Sequence, residues 1–444
     1  MSIAENGNPQ RTTNHAPPDP AAFRRIAFAS LIGSVIEAYD FALYGFAAAL
    51  VFPKVFFPSL GPAAGTIASL ATLGVAFVAR PIGAILFGYF GDRYGRKATL
   101  IATVLGMGVG TTLMGLIPSA ETIGSVAPIL IVVLRAVQGL ALGGEWAGAI
   151  LFVTEHAPPN RRGFYAMFPQ LGQTLPTILS AGTFLLVNLV VGEDTFVSWG
   201  WRVPFIASIV LVALGLYIRL RVEETPVFVR DQQRTTSSRP PLLEAFKRQP
   251  STIARCAGVA LTAISFVYVA QSFLSNFGVT HVGLSKNNVL VATALSGVFY
   301  TIFCALASVL SDRYGGRRII VGAEILGAAW ALALFPLLSM NTAASFTVAL
   351  CVTMGIAGLA LGAVGPFLPE QFPTRYRYTA SGISYQITGV IGGGIAPLVA
   401  PIIVDSWGTT AFGIVLAAMS VVAAICTYSL KDRSRQTLDW SPES

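Results

Sequence analysis

Residues 63–97 read AAGTIASLATLGVAFVARPIGAILFGYFGDRYGRK. Up to Phe90 the run is apolar, small or hydroxyl-bearing apart from one cation, Arg80; it then closes on Arg93, Arg96 and Lys97. A helix rises about 1.5 Å per residue and the hydrocarbon of a bilayer is about 30 Å thick, so roughly 20 such residues suffice to cross it. The stretch predicts a membrane-spanning helix with a basic end. Outward from it, eleven further runs fit the same reading: residues 24–51, 98–117, 127–155, 163–191, 202–222, 253–281, 288–311, 319–338, 343–370, 378–404 and 410–430. Twelve helices in two sets of six, an all-α membrane protein, is the expected architecture.

Composition agrees. The chain has 444 residues, 54% of them hydrophobic by the AVILMFWYC set and only 11% charged, with 44 glycines. Soluble domains carry about a quarter charged residues, so this chain cannot dress a water-facing surface. A net charge of +8 would raise nucleic acid as a partner, but the basic residues sit between the apolar runs. The bias of Lys and Arg toward the cytoplasm explains them better. With both termini cytoplasmic, 24 of the 29 basic residues fall on that side, Lys54, Arg202 and Lys286 on the other, and Arg80 and Arg135 within the membrane. A multi-pass protein of the cell membrane, surrounded by lipid, binding no nucleic acid and acting as a monomer, is the expected state. Cys256, Cys304, Cys351 and Cys426 each lie in a separate apolar run with no metal-ligand spacing, and His15, His156 and His281 lie in the tail or at helix ends. No metal, cofactor or enzymatic site is expected.

The chain divides into a polar tail (1–21), a first bundle (22–222), a polar linker (223–252) with an amphipathic patch at 242–248, a second bundle (253–431) and a short tail (432–444). The bundles repeat. Gly91-Asp92-Arg93-Tyr94-Gly95 returns as Ser311-Asp312-Arg313-Tyr314-Gly315, and Gly139-Leu-Ala-Leu-Gly143 returns, at almost the same offset, as Gly358-Leu-Ala-Leu-Gly362. Glu155 with Pro158 is echoed by Glu370 with Pro373. Duplicated six-helix bundles around a midplane site are a recurrent plan of secondary transporters.

Several motifs carry a resemblance. The GDRYGRK loop, its weaker copy, and Arg135-Ala-Val-Gln-Gly139 are similar to the major facilitator superfamily. Ile36-Glu37-Ala38-Tyr39-Asp40-Phe41, Arg80-Pro-Ile-Gly83, Gly143-Gly-Glu-Trp146 and Arg162-Gly-Phe-Tyr165 narrow it. Together they resemble the metabolite:proton symporters, which include carriers of shikimate, 2-oxoglutarate, citrate and proline or betaine. The resemblance implies alternating access. It also implies a cytoplasmic latch, with Gly88, Asp92, Arg93, Gly95 and Arg96 on one side, Asp312 and Arg313 in the copy, and Glu155 and Arg162 extending it.

Five ionisable residues lie inside the spans of the first bundle: Glu37, Asp40, Arg80, Arg135 and Glu145. A charge at mid-bilayer costs at least about 2.5–3.5 kcal/mol, so it persists where it meets a partner or an aqueous cavity. At 100° per residue Glu37 and Asp40 share a face with Tyr44, and Arg135, Gln138 and Glu145 form a second polar stripe. The second bundle repeats none of these charges. It offers neutral stripes instead: Tyr268, Gln271, Ser272, Ser275 and Asn276 in span seven, and Ser381, Ser384, Tyr385 and Thr388 in span eleven; span five adds Gln170, Gln173, Thr174 and Thr177. Glu324, near the inner end of span nine, reads as structural.

This inventory predicts proton-coupled uptake of a small organic acid. Arg80 and Arg135 hold its carboxylate, because guanidinium stays charged and binds carboxylate bidentately. One of Glu37, Asp40 or Glu145 carries the proton. Gln138, Gln170, Gln173, Gln271 and Asn276 supply hydrogen bonds, and Tyr39, Tyr44 and Tyr268 offer rings to the ammonium of a zwitterion, the alternative cargo. A proton-driven exporter is a further alternative. An ATP-driven pump is disfavoured, since none of the five lysines follows a glycine as a phosphate loop requires.

Overall fold

A computed structural model describes residues 20–94, 96–143, 145–155, 157, 159–221, 241–373 and 376–433. The described chain is helical, with no strand among these residues. In hydrocarbon every backbone N–H and C=O must be satisfied within the segment, and a helix does so locally. The first six spans are Pro20–Leu50, Gly61–Tyr94, Arg96–Leu116, Val126–Leu142 continued by Glu145–Glu155, Arg162–Val191 and Arg202–Arg221. The last six are Pro250–Thr280 in four consecutive helical pieces, Lys286–Tyr314, Gly316–Leu338, Ala343–Phe367, Arg377–Trp407 in three pieces, and Thr409–Tyr428. The expected boundaries agree to within a few residues.

One local expectation is corrected. The two Asp-Arg-Tyr stretches are not loops: Asp92–Tyr94 and Asp312–Tyr314 continue the helices of spans two and eight. Only Gly315, at φ 89°, makes the turn in the second copy, a backbone conformation that glycine adopts without strain. The amphipathic patch of the linker is the helix Pro241–Arg248, with Glu244 and Arg248 one turn apart and 3.2 Å from each other.

Two of the long spans are interrupted where they face the other bundle. Span seven bends by 42° after Val259 and runs through a π-helical turn at Val269–Leu274. Span eleven carries a second π turn at Gly389–Ile395, sequence GVIGGGI. Such turns widen the helix locally and concentrate at functional sites. Proline adds to this in span two, where Pro81 lacks the N–H that would bond the carbonyl of Phe77.

The repeat is visible in the packing. A Cβ on Gly139 would lie 2.3 Å from the carbonyl oxygen of Ala76 and one on Gly143 2.2 Å from that of Arg80, so span four lies backbone to backbone on span two. Gly358 and Gly362 meet the carbonyls of Tyr300 and Cys304 at 2.4 and 2.2 Å in the same manner. By this contact the counterpart of Arg80 is Cys304, rather than Phe299 or Tyr300, onto which the sequence match carries it. Either way the charge has no copy.

Candidate functional site between the two bundles

A cavity of about 80 Å³ lies at the junction of the two sets of six spans. Its first-half wall includes Ser34, Phe41, Phe77, Arg80, Trp146 and Gln173. The second-half wall includes Tyr268, Gln271, Tyr300, Tyr385 and Gln386. Arg80 is the one cationic side chain on this wall among the described residues. Its guanidinium carbon stands 4.0 Å from the Phe41 ring centroid and 4.5 Å from that of Phe77, and its Nε has no hydrogen-bond partner among the described residues. Cation–π contact holds the head while leaving its N–H donors to be used. The Phe77 and Tyr268 rings meet edge to face at 4.8 Å, joining the two walls.

Arg135 is placed differently from the sequence expectation. It is 0% exposed and does not line the cavity. Its guanidinium carbon is 4.0 Å from Phe41 and 3.7 Å from Tyr44, so one phenyl ring is shared by two guanidinium groups. Arg135 Nη1 donates to Gln138 Oε1 at 2.8 Å, and Gln138 Nε2 donates to Thr111 Oγ1 at 2.6 Å. Thr111 Oγ1 donates to Asp40 Oδ2 at 2.8 Å. Asp40, 2% exposed, is therefore linked to Arg135 through two neutral side chains rather than by direct ion pairing. Thr111 lies on span three, where a threonine in an apolar run carries no distinguishing pattern in the sequence.

Other candidates are also engaged elsewhere. Tyr39 donates to Thr183 at 3.2 Å, and Tyr44 meets Thr72 Oγ1 at 2.5 Å. Gln170 Nε2 donates to the Leu361 carbonyl at 2.7 Å and Asn276 Nδ2 to that of Ala49 at 3.0 Å, both between bundles. Gln173, Tyr268 and Gln271 do line the cavity, and Gln271 also donates to Thr177 at 2.8 Å. Most of the neutral stripe of span eleven serves helix contacts: Ser384 and Thr388 donate to the carbonyls of Ile253 and Ala257 in span seven. Its Tyr385 faces the cavity. Glu324 is fully buried, with one oxygen accepting from Thr427 at 3.0 Å. The side chains of Glu37 and Glu145 lie outside the described residues.

Cross-bundle contacts lie toward both ends of the bundle. At one end Trp146 and Tyr385 stack at 3.9 Å with 3° between planes, and Gln386 Nε2 donates to the Gly143 carbonyl at 2.9 Å. Further out, Arg162 and Glu370 form an ion pair at 3.0 Å. Asp312 accepts from the backbone N–H groups of Gly163 at 2.6 Å and Phe164 at 2.8 Å. These amides belong to the first turn of the span-five helix, whose own cap position, Arg161, supplies no side-chain bond. The first N–H groups of a helix lack internal partners and carry the positive end of its dipole. The second bundle thus caps a helix of the first. Arg313 is exposed, set over its neighbour Tyr314. Gly88, Asp92, Arg93, Gly95, Arg96 and Glu155 lie outside the described residues in their side chains or altogether. At the opposite end Lys286 Nζ pairs with Glu193 at 2.9 Å and Asn188 Nδ2 donates to Asn287 at 2.5 Å.

The family model described as Major Facilitator Superfamily matches residues 30–397. The inner membrane metabolite transport protein YhjE of Escherichia coli is 39% identical over 418 residues, covering 92% of this chain and 95% of that protein. The shikimate transporter of the same organism is 38% identical, covering 93% and 95%. The proline/betaine transporter of Salmonella typhimurium is 31% identical, covering 95% and 86%. Among solved structures, the proton:xylose symporter XylE bound to 6-bromo-6-deoxy-D-glucose superposes with a TM-score of 0.74 at 18% identity, covering 94% of this chain and 98% of that one. At that identity the likeness speaks for the fold alone. A duplicated twelve-helix bundle, a cavity between its halves and matches along most of the chain agree: this protein is a transporter belonging to the major facilitator superfamily.

Proposed function

We propose that the chain takes up a small monocarboxylate together with a proton. The observation that carries this reading is Arg80, the cavity's one described cation, set among neutral hydrogen bonders, while Arg135, whose Nε and Nη2 also lack a partner among the described residues, does not line the cavity. One guanidinium fork matches one carboxylate. The remaining wall, with Gln173, Gln271, Gln386 and three tyrosines, suits hydroxyl or carbonyl groups on the rest of the molecule. A second carboxylate would meet no described counter-charge there, and a buried unpaired charge is strongly disfavoured.

Asp40 is the proton carrier in this reading. The chain Asp40–Thr111–Gln138–Arg135 ends on Phe41, the ring that also holds Arg80. Protonation of Asp40 removes a negative charge that is linked to Arg135 through Thr111 and Gln138, and leaves the two guanidiniums together more attractive to an anion. Loss of the substrate favours release of the proton in turn. Carrying both also lowers the net charge that crosses the membrane, and each charge moved against 100 mV is worth about 2.3 kcal/mol. The Asp312 end is assigned to the cytoplasm on the strength of the Lys and Arg distribution.

A zwitterionic osmolyte is the second reading. An aromatic side chain on the wall, Tyr268, and the proline/betaine relatives favour it. Uptake into proteoliposomes under an imposed pH gradient separates the readings: hydroxylated monocarboxylates, dicarboxylates and betaines are each tested with and without a protonophore. Accumulation of monocarboxylates abolished by protonophore is the expected result. Gradient-independent flux, or preference for dicarboxylates, refutes the proposal.

A further inference from the structure

A second recess opens on the outside of the bundle, directly behind the substrate cavity. It measures about 450 Å³ and is framed by spans two, four and eleven. All eleven residues around it are glycine or aliphatic, among them Val78, Ile82, Ala136 and Ile395. Its floor is the place where the two bundles touch backbone to backbone: a Cβ on Gly394 would sit 3.3 Å from the Cα of Gly74. Its rim faces outward, with Val78 and Ile82 each 58% exposed and Ile395 48% exposed. Both helices are in mid-course here, within stretches long and apolar enough to cross the membrane. Water gains nothing in a recess with no polar group, and the medium around these spans is hydrocarbon.

We propose that this recess is a binding seat for one acyl chain of a membrane phospholipid. Its extent along span two, from Ala71 to Ile82, is about 16 Å and lies in the middle of that span, the depth reached by the end of an acyl chain from either leaflet. The seat spans both bundles, so it exists in this form only while spans two and eleven adjoin. It is also separated from the cargo by a single helix wall. Phe77 and Arg80 face the cavity while Val78, Ala79 and Ile82 face the recess, and across the junction Gly389 and Val390 divide in the same way. A chain in the seat bears on the two helices that hold Arg80 in place.

The test is photolabelling of the full chain in proteoliposomes with a phosphatidylethanolamine carrying a diazirine in its acyl chain, followed by peptide mapping. Adducts at Val78, Ile82 or Ile395 are expected at least fivefold above those at Ile302 and Val422, which are comparably exposed, lie within their spans and do not line the recess. Ala71→Phe and Ala136→Phe, each filling the recess from a different wall, are expected to reduce the adducts to that background. Uniform labelling of the lipid-facing spans overturns the proposal, as does undiminished labelling in a filled variant that elutes and melts like the wild type. A diazirine fatty acid labels the same residues under the rival in which free acids occupy the seat; labelling by it and not by the phospholipid also overturns the proposal. If neither variant folds, the wild-type map alone decides. This inference does not rest on the identity of the cargo.

Discussion

Replacing Asp312 by alanine removes the carboxylate that caps the span-five helix from the other bundle. In the closed arrangement it accepts two short bonds from amides that have no helical partner. Hydrogen bonds to a charged group contribute about 1.5–3 kcal/mol each. Once that end opens, water replaces these bonds, so only part of their strength distinguishes the two states. Counting one such bond and a helix-dipole contribution of about 0.3–1 kcal/mol gives roughly 2–4 kcal/mol. At 1.4 kcal/mol per decade the open population at the Asp312 end should rise roughly 30- to 700-fold. Asp312→Asn keeps one neutral acceptor and should shift it by about tenfold. The measurement is the alkylation rate of a cysteine introduced at Ala149, on the cavity wall, by an impermeant maleimide applied from that end. Arg313→Ala is the control, since that side chain is exposed and rests over its own neighbour; its rate should stay within twofold of wild type. An unchanged rate in Asp312→Ala, or an equal rise in Arg313→Ala, refutes capping between the bundles.

Four other outcomes follow from the same geometry. Gly163→Ala places a methyl 2.2 Å from the Ser308 carbonyl oxygen and should also raise Ala149→Cys labelling from the Asp312 end, at an overpacking cost of about 1–3 kcal/mol in the closed form. Arg80→Lys keeps the charge but loses the fork and should weaken substrate-induced thermal stabilisation at least tenfold in apparent affinity; unchanged affinity argues against Arg80 as the carboxylate site. Trp146→Ala removes the ring stacked on Tyr385, worth about 0.5–1.5 kcal/mol beyond its burial, and should increase substrate leak measured without a gradient. Glu193→Gln leaves the buried Lys286 without its partner and should raise labelling of a cavity cysteine from the opposite end; adding salt should reproduce part of the effect in wild type, because Glu193 is 57% exposed.

The helices were legible because hydropathy over a span is a summed property that survives local exceptions. Gly61–Tyr94 and Thr409–Tyr428 lie within a few residues of where their apolar runs place them. The cavity was legible only in part. Arg80 stands out as a charge in hydrocarbon, and it lines the cavity; Arg135 stands out equally and does not, because its rotation about span four and its contact with Phe41 depend on neighbours far along the chain. Trp146, Tyr300, Tyr385 and Gln386 also line the wall but carry no such mark, since aromatic and amide side chains serve helix packing as readily as a pocket. Motif resemblance points to Asp312 as part of a latch. Its partners, two main-chain amides, leave no mark in any sequence.

The packing offsets carry a consequence for the symmetry of the transporter. Gly139 and Gly143 of span four answer to Gly358 and Gly362 of span ten, and Asp92 of span two answers to Asp312 of span eight. The carbonyls beneath the glycines do not keep that register: Tyr300 and Cys304 stand about one helical turn further along span eight than the counterparts of Ala76 and Arg80 would. One bundle has therefore slid internally, by roughly 6 Å along the axis, relative to its twin. The two bundles are thus not interchangeable copies: the contact between spans eight and ten is displaced by about one helical turn from the image of that between spans two and four.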